Sequence, residues 1–201
     1  MTISDIKFRR SLTDGTLKAI ASLTIDGFIA VHEIKVIETD HLFVAMPSRK
    51  DESGNYHDIV HPINDRARNL IESAVLSAYK IYAESQALIS NINITTDWNR
   101  KDNNHMNITE IIFRKTFTDG KLRAIASITI DGCFTIHEIK LIQTDHLFVA
   151  MPYRTDSYGI SHDIVHPIGV AARHKLESAI INAYKDYVAA HEILENADYT
   201  A

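Results

Sequence analysis

The chain has 201 residues, 45% hydrophobic and 23% charged, with a formal net charge of −5. That is enough apolar material for one large or two small globular domains, and too acidic for a uniformly basic nucleic-acid clamp, so polyanion binding would have to come from a local patch. No run of about 18 apolar residues is present, which excludes a helical membrane span, and the opening MTISDIKFRR reads as no secretory signal.

Sliding the sequence by 105 residues aligns 1–86 with 106–191 without a gap, and roughly 50 of those positions are identical. HLFVAMP at 41–47 recurs unchanged at 146–152. A period this long is domain-sized rather than a solenoid repeat. In chain order, each copy opens with a strand, ISDIKFRR or ITEIIFRK, followed by the turn signal Thr-Asp-Gly at 13–15 and 118–120. LKAIASLTID alternates with the period of two that marks a half-buried strand, and Asp26-Gly27 and Asp131-Gly132 give a second hairpin signal. The third strand, FIAVHEIKVIE, is apolar on both faces apart from His32, Glu33 and Lys35. HLFVAMP reads as a fourth strand stopped by Pro47 and HDIVHP as a fifth stopped by Pro62, with SRKDESGNY as the loop between them. Then the period changes: Ile71, Ala74, Val75, Ala78, Tyr79 and Tyr82 fall at helical spacing, as do Leu176, Ala179, Ile180, Ala183, Tyr184 and Tyr187. Asn64 is placed to cap the first helix, and Gly169 stands at its counterpart.

The expected fold is α+β: two similar units, each an antiparallel sheet of about five strands followed by an amphipathic helix, forming an intrachain pseudo-dimer. The boundaries are 1–87 and 106–195, with the polar stretch 88–105 as a linker. A unit of this size buries a modest core and leaves sheet edges unpaired, so two units that pair with each other solve both problems. The single cysteine, Cys133, excludes an internal disulfide and suits a reducing cytoplasm; Phe28 at the matching position makes it a small apolar filler.

FRR…TDG…KAIASLTID, VHEIKVI, LFVAMPS, HDIVHPIN and the closing helix resemble the stage V sporulation protein G (SpoVG) family of septation regulators, and both copies carry the pattern in order. The resemblance implies a small bacterial cytoplasmic regulator that dimerises, is linked to sporulation and septum formation, and in some members binds DNA or RNA. It also implies nucleic-acid contacts just after the VAMPS phrase, at Arg49 and Lys50 in copy one and Arg154 in copy two. At the following helix it implies Arg66 and Arg68, against Arg173 with Lys175 added nearby. Arg9 and Arg10 extend this into a candidate positive stripe for phosphates. Thr155 replaces Lys50 and Tyr153 replaces Ser48, so the second copy is the weaker match.

Other chemistry is less supported. His57, Asp58 and His61, with His32 and Glu33, suggest metal ligands, but residues four apart on a strand stand about 13 Å apart at ~3.3 Å per residue. There is no Gly-rich phosphate loop or nucleophile elbow, so no enzyme, metal or cofactor is expected, and the histidines read as structural. Met46 and Met151 read as packing, and the helix tyrosines as core rather than base-stacking platforms. The expected partners are DNA or RNA, with room for a further homo-oligomer and no membrane. The rival expectation is a protein-interaction module acting through sheet edges.

Overall fold

Two β-rich stretches that alternate cleanly in sequence, LKAIASLTI and its twin LRAIASITI, form the second strand of each sheet. The computed structural model describes residues 1–11, 15–85 and 106–198; the expected linker 88–105 and turn residues 13 and 14 lie outside the described residues. The first repeat runs β1 (Ile3–Ser11), β2 (Leu17–Ile25), β3 (Ile29–Glu38), β4 (Leu42–Ala45), β5 (Ser48–Lys50), β6 (Tyr56–Asp58), β7 (Val60–Pro62) and α1 (Asp65–Ser85). The second runs β8 (Ile108–Thr116), β9 (Leu122–Ile130), β10 (Phe134–Gln143), β11 (Leu147–Ala150), β12 (Tyr153–Thr155), β13 (Ser161–Asp163), β14 (Val165–Pro167) and α2 (Gly169–Asp198). Each repeat is therefore an antiparallel sheet followed by a helix, the α+β unit the sequence predicts.

Each main sheet has five strands, but the fifth comes from the other repeat. β3 pairs with β2 along one edge. Along the other, its C-terminal half takes β4, with Val36 opposite Val44, and its N-terminal half takes β14, with Val31 opposite Val165. β10 repeats the scheme with β9, β11 and the first repeat's β7, where Ile136 faces Val60. HDIVHP is thus not one strand. The Ile59 amide donates to the Pro47 carbonyl at 2.8 Å, and Ile59 itself is buried, which breaks the strand. β6 folds back on β5 as a two-stranded ribbon, in what sequence read as a loop, while β7 departs for the other repeat. Ile164 and Pro152 break the twin segment in the same way. β1 and β8 each keep one edge unpaired among the described strands.

This exchange makes the core continuous across the repeats: Ile29, Val31, Ile59 and Val60 belong to one buried cluster with Phe134, Ile136, Ile164 and Val165. The helices close it. Ile71, Ala74, Val75 and Ala78 are buried, Tyr79 and Tyr82 pack on Phe8 with ring centroids 5.9 and 4.9 Å away, and Tyr184 and Tyr187 pack on Phe113. Met46 and Met151 are buried as well.

Asn64 caps α1 as the sequence predicts: its Oδ1 accepts from the Ala67 amide at 2.8 Å, while its Nδ2 donates across the seam to the Gly132 carbonyl at 3.0 Å. Gly169 starts α2 with φ of +78°, a backbone that suits glycine, and offers no side-chain cap. Replacing Asn64 with Ala is expected to cost about 1 kcal/mol in urea denaturation.

Candidate functional site

The polar dipeptide that interrupts each third strand is the origin of the most distinctive geometry in the molecule. Leu23 faces Val31 and Ala21 faces Ile34, so His32 and Glu33 together oppose the single residue Ser22. His137 and Glu138 oppose Ser127 in the same way. These are β-bulges, which bend a strand and re-aim its side chains. Glu33 and Glu138 take φ of +59° and +58°, a left-handed backbone that is uncommon for non-glycine residues and costs on the order of 1–3 kcal/mol.

The bulges turn both side chains toward the opposite repeat. Glu138 pairs with Arg49 of β5 at 2.5 Å, and Glu33 pairs with Arg154 of β12 at 2.8 Å. The same arginines lock the two ribbons together: Arg49 Nη2 donates to the Tyr153 carbonyl at 2.7 Å, and Arg154 Nη2 donates to the Ser48 carbonyl at 3.1 Å. The histidines meet across the seam too. His137 stacks on His61 of β7 with centroids 5.1 Å apart, and His32 stacks on His166 of β14 at 5.2 Å.

In the first pair the hydrogen bonds fix the protons. The Pro62 carbonyl can only accept, so His61 Nδ1 donates to it at 3.1 Å and its Nε2 is bare when the ring is neutral. His137 Nε2 then donates to His61 Nε2 at 3.0 Å. His137 Nδ1 accepts from the Ser127 hydroxyl at 2.8 Å, and Ser127 Oγ accepts from Arg114 Nε at 3.2 Å. Burial, with the neighbouring His61 and Arg114, lowers the His137 pKa. Burial, helped by Arg9 and His166, lowers that of His32 to about 4, and His32 Nδ1 is buried without a hydrogen-bond partner.

An open cleft of about 500 Å³ beside this pair is lined by Tyr56, His57, Asp58, His61, His137 and Glu138. His57 and His61 stand on the separate strands β6 and β7, and His57 bonds Asp51 at 2.7 Å and holds that exposed carboxyl below its usual pKa. Among the described residues no set of three or more His, Cys, Asp or Glu is placed to hold a metal ion. A metal on the His61–His137 pair would have two protein ligands where a structural zinc has four.

The sequence-predicted phosphate contacts divide into three groups. Arg49 and Arg154 come together at the seam, each already ion-paired. Lys50 is exposed beside them, its ammonium 5.8 Å from the Tyr56 ring. Arg66 and Arg68 stand on the first turn of α1, and Arg173 and Lys175 on the second turn of α2, where Arg68 lies 3.9 Å from Glu72 and Arg173 lies 3.2 Å from Glu177. Arg9 is exposed on β1, and Arg10 follows it in that strand. Sequence reasoning missed the histidine pairs and the glutamate–arginine crossings. The available signal was the His-Glu dipeptide breaking an apolar strand at the same place in both copies.

The sequence model of the SpoVG family matches residues 1–81 and again 106–186. The chain is similar to a candidate septation protein, SpoVG 1, of Listeria monocytogenes, 49% identical over 85 residues, which cover 42% of this chain and 83% of that protein. It is 45% identical over 89 residues to a candidate septation protein SpoVG of Bacillus subtilis (44% of this chain, 92% of the relative). With that of Clostridioides difficile it shares 50% identity over 80 residues (39% and 87%). No described helix is long and apolar enough to cross a membrane.

Proposed function

Because the chain belongs to the SpoVG family and carries the family's unit twice, we propose that it is a cytoplasmic, non-enzymatic regulator in septation or sporulation that binds DNA or RNA through a local basic patch. One observation carries this reading: the β5–β6 and β12–β13 ribbons lie against each other, so Arg49 and Arg154 from two repeats meet at one place, with exposed Lys50 the next residue of β5. Cations on one surface neutralise neighbouring phosphates along a backbone, whereas scattered ones only keep a protein soluble. Arg9, Arg10, Arg66, Arg68, Arg173 and Lys175 are the other candidate phosphate contacts.

Lys50 is the residue to test first, because it is exposed and free of the ion pairs that tie Arg49 and Arg154 into the seam. The full chain would be titrated against labelled duplex DNA and single-stranded RNA at about 50 and 200 mM salt. Saturable binding that weakens with salt is expected, and Lys50→Glu should lower affinity at low salt and flatten the slope of log K against log salt by roughly one. A folded protein that binds neither probe at low salt would overturn this reading in favour of protein–protein pairing through the free edges of β1 and β8, which salt should barely affect.

A further inference from the structure

We propose that the two stacked histidine pairs are acid-sensitive latches on the strand exchange, holding the repeats together when the imidazoles are neutral and releasing β7 and β14 as they take up protons. This does not depend on nucleic-acid binding. It rests on where the pairs stand. His61 is the central residue of β7 and faces Thr135 of β10; His166 is the central residue of β14 and faces Ala30 of β3. The backbone bonds that continue these ladders come from the partner histidines: the His137 amide donates to the Ile59 carbonyl and the His32 amide to the Ile164 carbonyl, both at 2.8 Å. Each ring stack therefore lies on the hydrogen-bonded joint itself.

The relay from Arg114 through Ser127, His137 and His61 to the Pro62 carbonyl is complete, every donor matched to an acceptor, with two neutral rings. One added proton still leaves a single N–H between the two Nε2 atoms, but Ser127 Oγ must then accept from both Arg114 and His137 and its own hydroxyl hydrogen loses the His137 Nδ1 acceptor. A second sets two N–H groups face to face at 3.0 Å, where both repel. Around the His61–His137 pair, Arg114 on β8 opposes protonation and Asp58 on β6 favours it, while Glu138 is occupied by Arg49 of β5. Around His32–His166, Arg9 on β1 opposes and Asp163 on β13 favours it, while Glu33 is occupied by Arg154 of β12. In both places burial and the cation prevail over the carboxylate.

The sign follows from linkage. A histidine whose closed-state pKa lies below its value of about 6.5 in water binds protons better when the joint is open, so acid favours opening. Full closure is present above about pH 6.5 and is lost as pH falls toward the closed-state value, which for His32 is about 4. At pH 5 that single group should raise the opening constant roughly thirtyfold.

The test uses the full chain labelled with nitrogen-15, followed from pH 7.5 to 4. Amide protection, corrected for intrinsic exchange, is read at His32 and His137 and compared with β2 and β9 interior amides, while imidazole nitrogen shifts report each ring's charge and tautomer. Protection at the His32 amide should fall roughly thirtyfold at pH 5, and protection at the His137 amide should fall in the same direction, both ahead of the β2 and β9 amides and with both rings neutral until the joint opens. His32→Gln with His137→Gln keeps a polar partner without a titrating ring and should remove the pH dependence; the exposed His57→Gln should leave it intact. Seam protection unchanged between pH 7 and 4.5, or histidines that charge in place while the joint stays closed, would overturn the proposal. The wild-type titration decides this even if the double variant does not fold.

Discussion

A chain carrying residues 1–87 alone is expected to run as a dimer, with twice its formula mass by light scattering. In the whole protein, the outer edge of β3 at Ile29–Val31 is covered by β14, and the first repeat's own β7 lies on β10. A lone repeat would leave that edge bare, together with Ile59 and Val60, which are 1% and 0% exposed in the intact chain. Two copies restore the lost strand pairing by giving each other their β7 strands, since HDIVHP is identical in both repeats. The tether sets an effective concentration in the millimolar range, so at micromolar protein its removal should cost about 4 kcal/mol and make the melting temperature depend on concentration. A folded monomer of unchanged stability would show that the exchange is dispensable.

The largest effect of a single substitution is expected at Phe134. It is 1% exposed, faces Ile130 within its own sheet and faces Pro62 across the seam. Phe134→Ala removes a buried ring and leaves a cavity between two elements that cannot collapse independently, so the expected loss is about 3–5 kcal/mol. For a chain of this length that corresponds to roughly 10 °C in Tm. Ile29 holds the equivalent place in the first repeat, facing Pro167. Ile29→Val should cost only about 0.5–1.5 kcal/mol, because one methyl group is lost and the site keeps its shape. Equal, small effects at both positions would mean that the seam is not part of the cooperative core.

Much of this architecture was legible in the sequence. Alternation in LKAIASLTID marked β2, the switch to helical spacing after Pro62 marked α1, and Asn64 marked its cap, because each of these signals is local. The break at Ile59 was not legible. HDIVHP has the composition of one continuous strand, and what divides it is a bond from Ile59 to the Pro47 carbonyl, set by the tertiary path of the chain. Nor could identical segments in the two repeats say which β3-like edge each would choose. The candidate site divides in the same way. The basic residues after HLFVAMP were visible, but the glutamates that claim Arg49 and Arg154 lie in the opposite repeats, on bulges whose left-handed backbone no propensity favours. The metal argument treated His57 and His61 as neighbours on one strand, whereas the imidazole that meets His61 is 76 residues away, in the other repeat.

The exchange also changes what a mutation can do. In a symmetric assembly of identical chains every substitution appears twice, and a side chain on the axis must tolerate its own image. With both halves in one polypeptide, each half can change alone. Phe134 stands opposite Pro62, while Ile29 stands opposite Pro167. One ribbon ends in polar Ser53 and Asn55, and the other in Tyr158 and Ile160, which are 88% and 57% exposed. Covalent joining has turned two copies of one surface into two surfaces, each open to separate selection on a shared core.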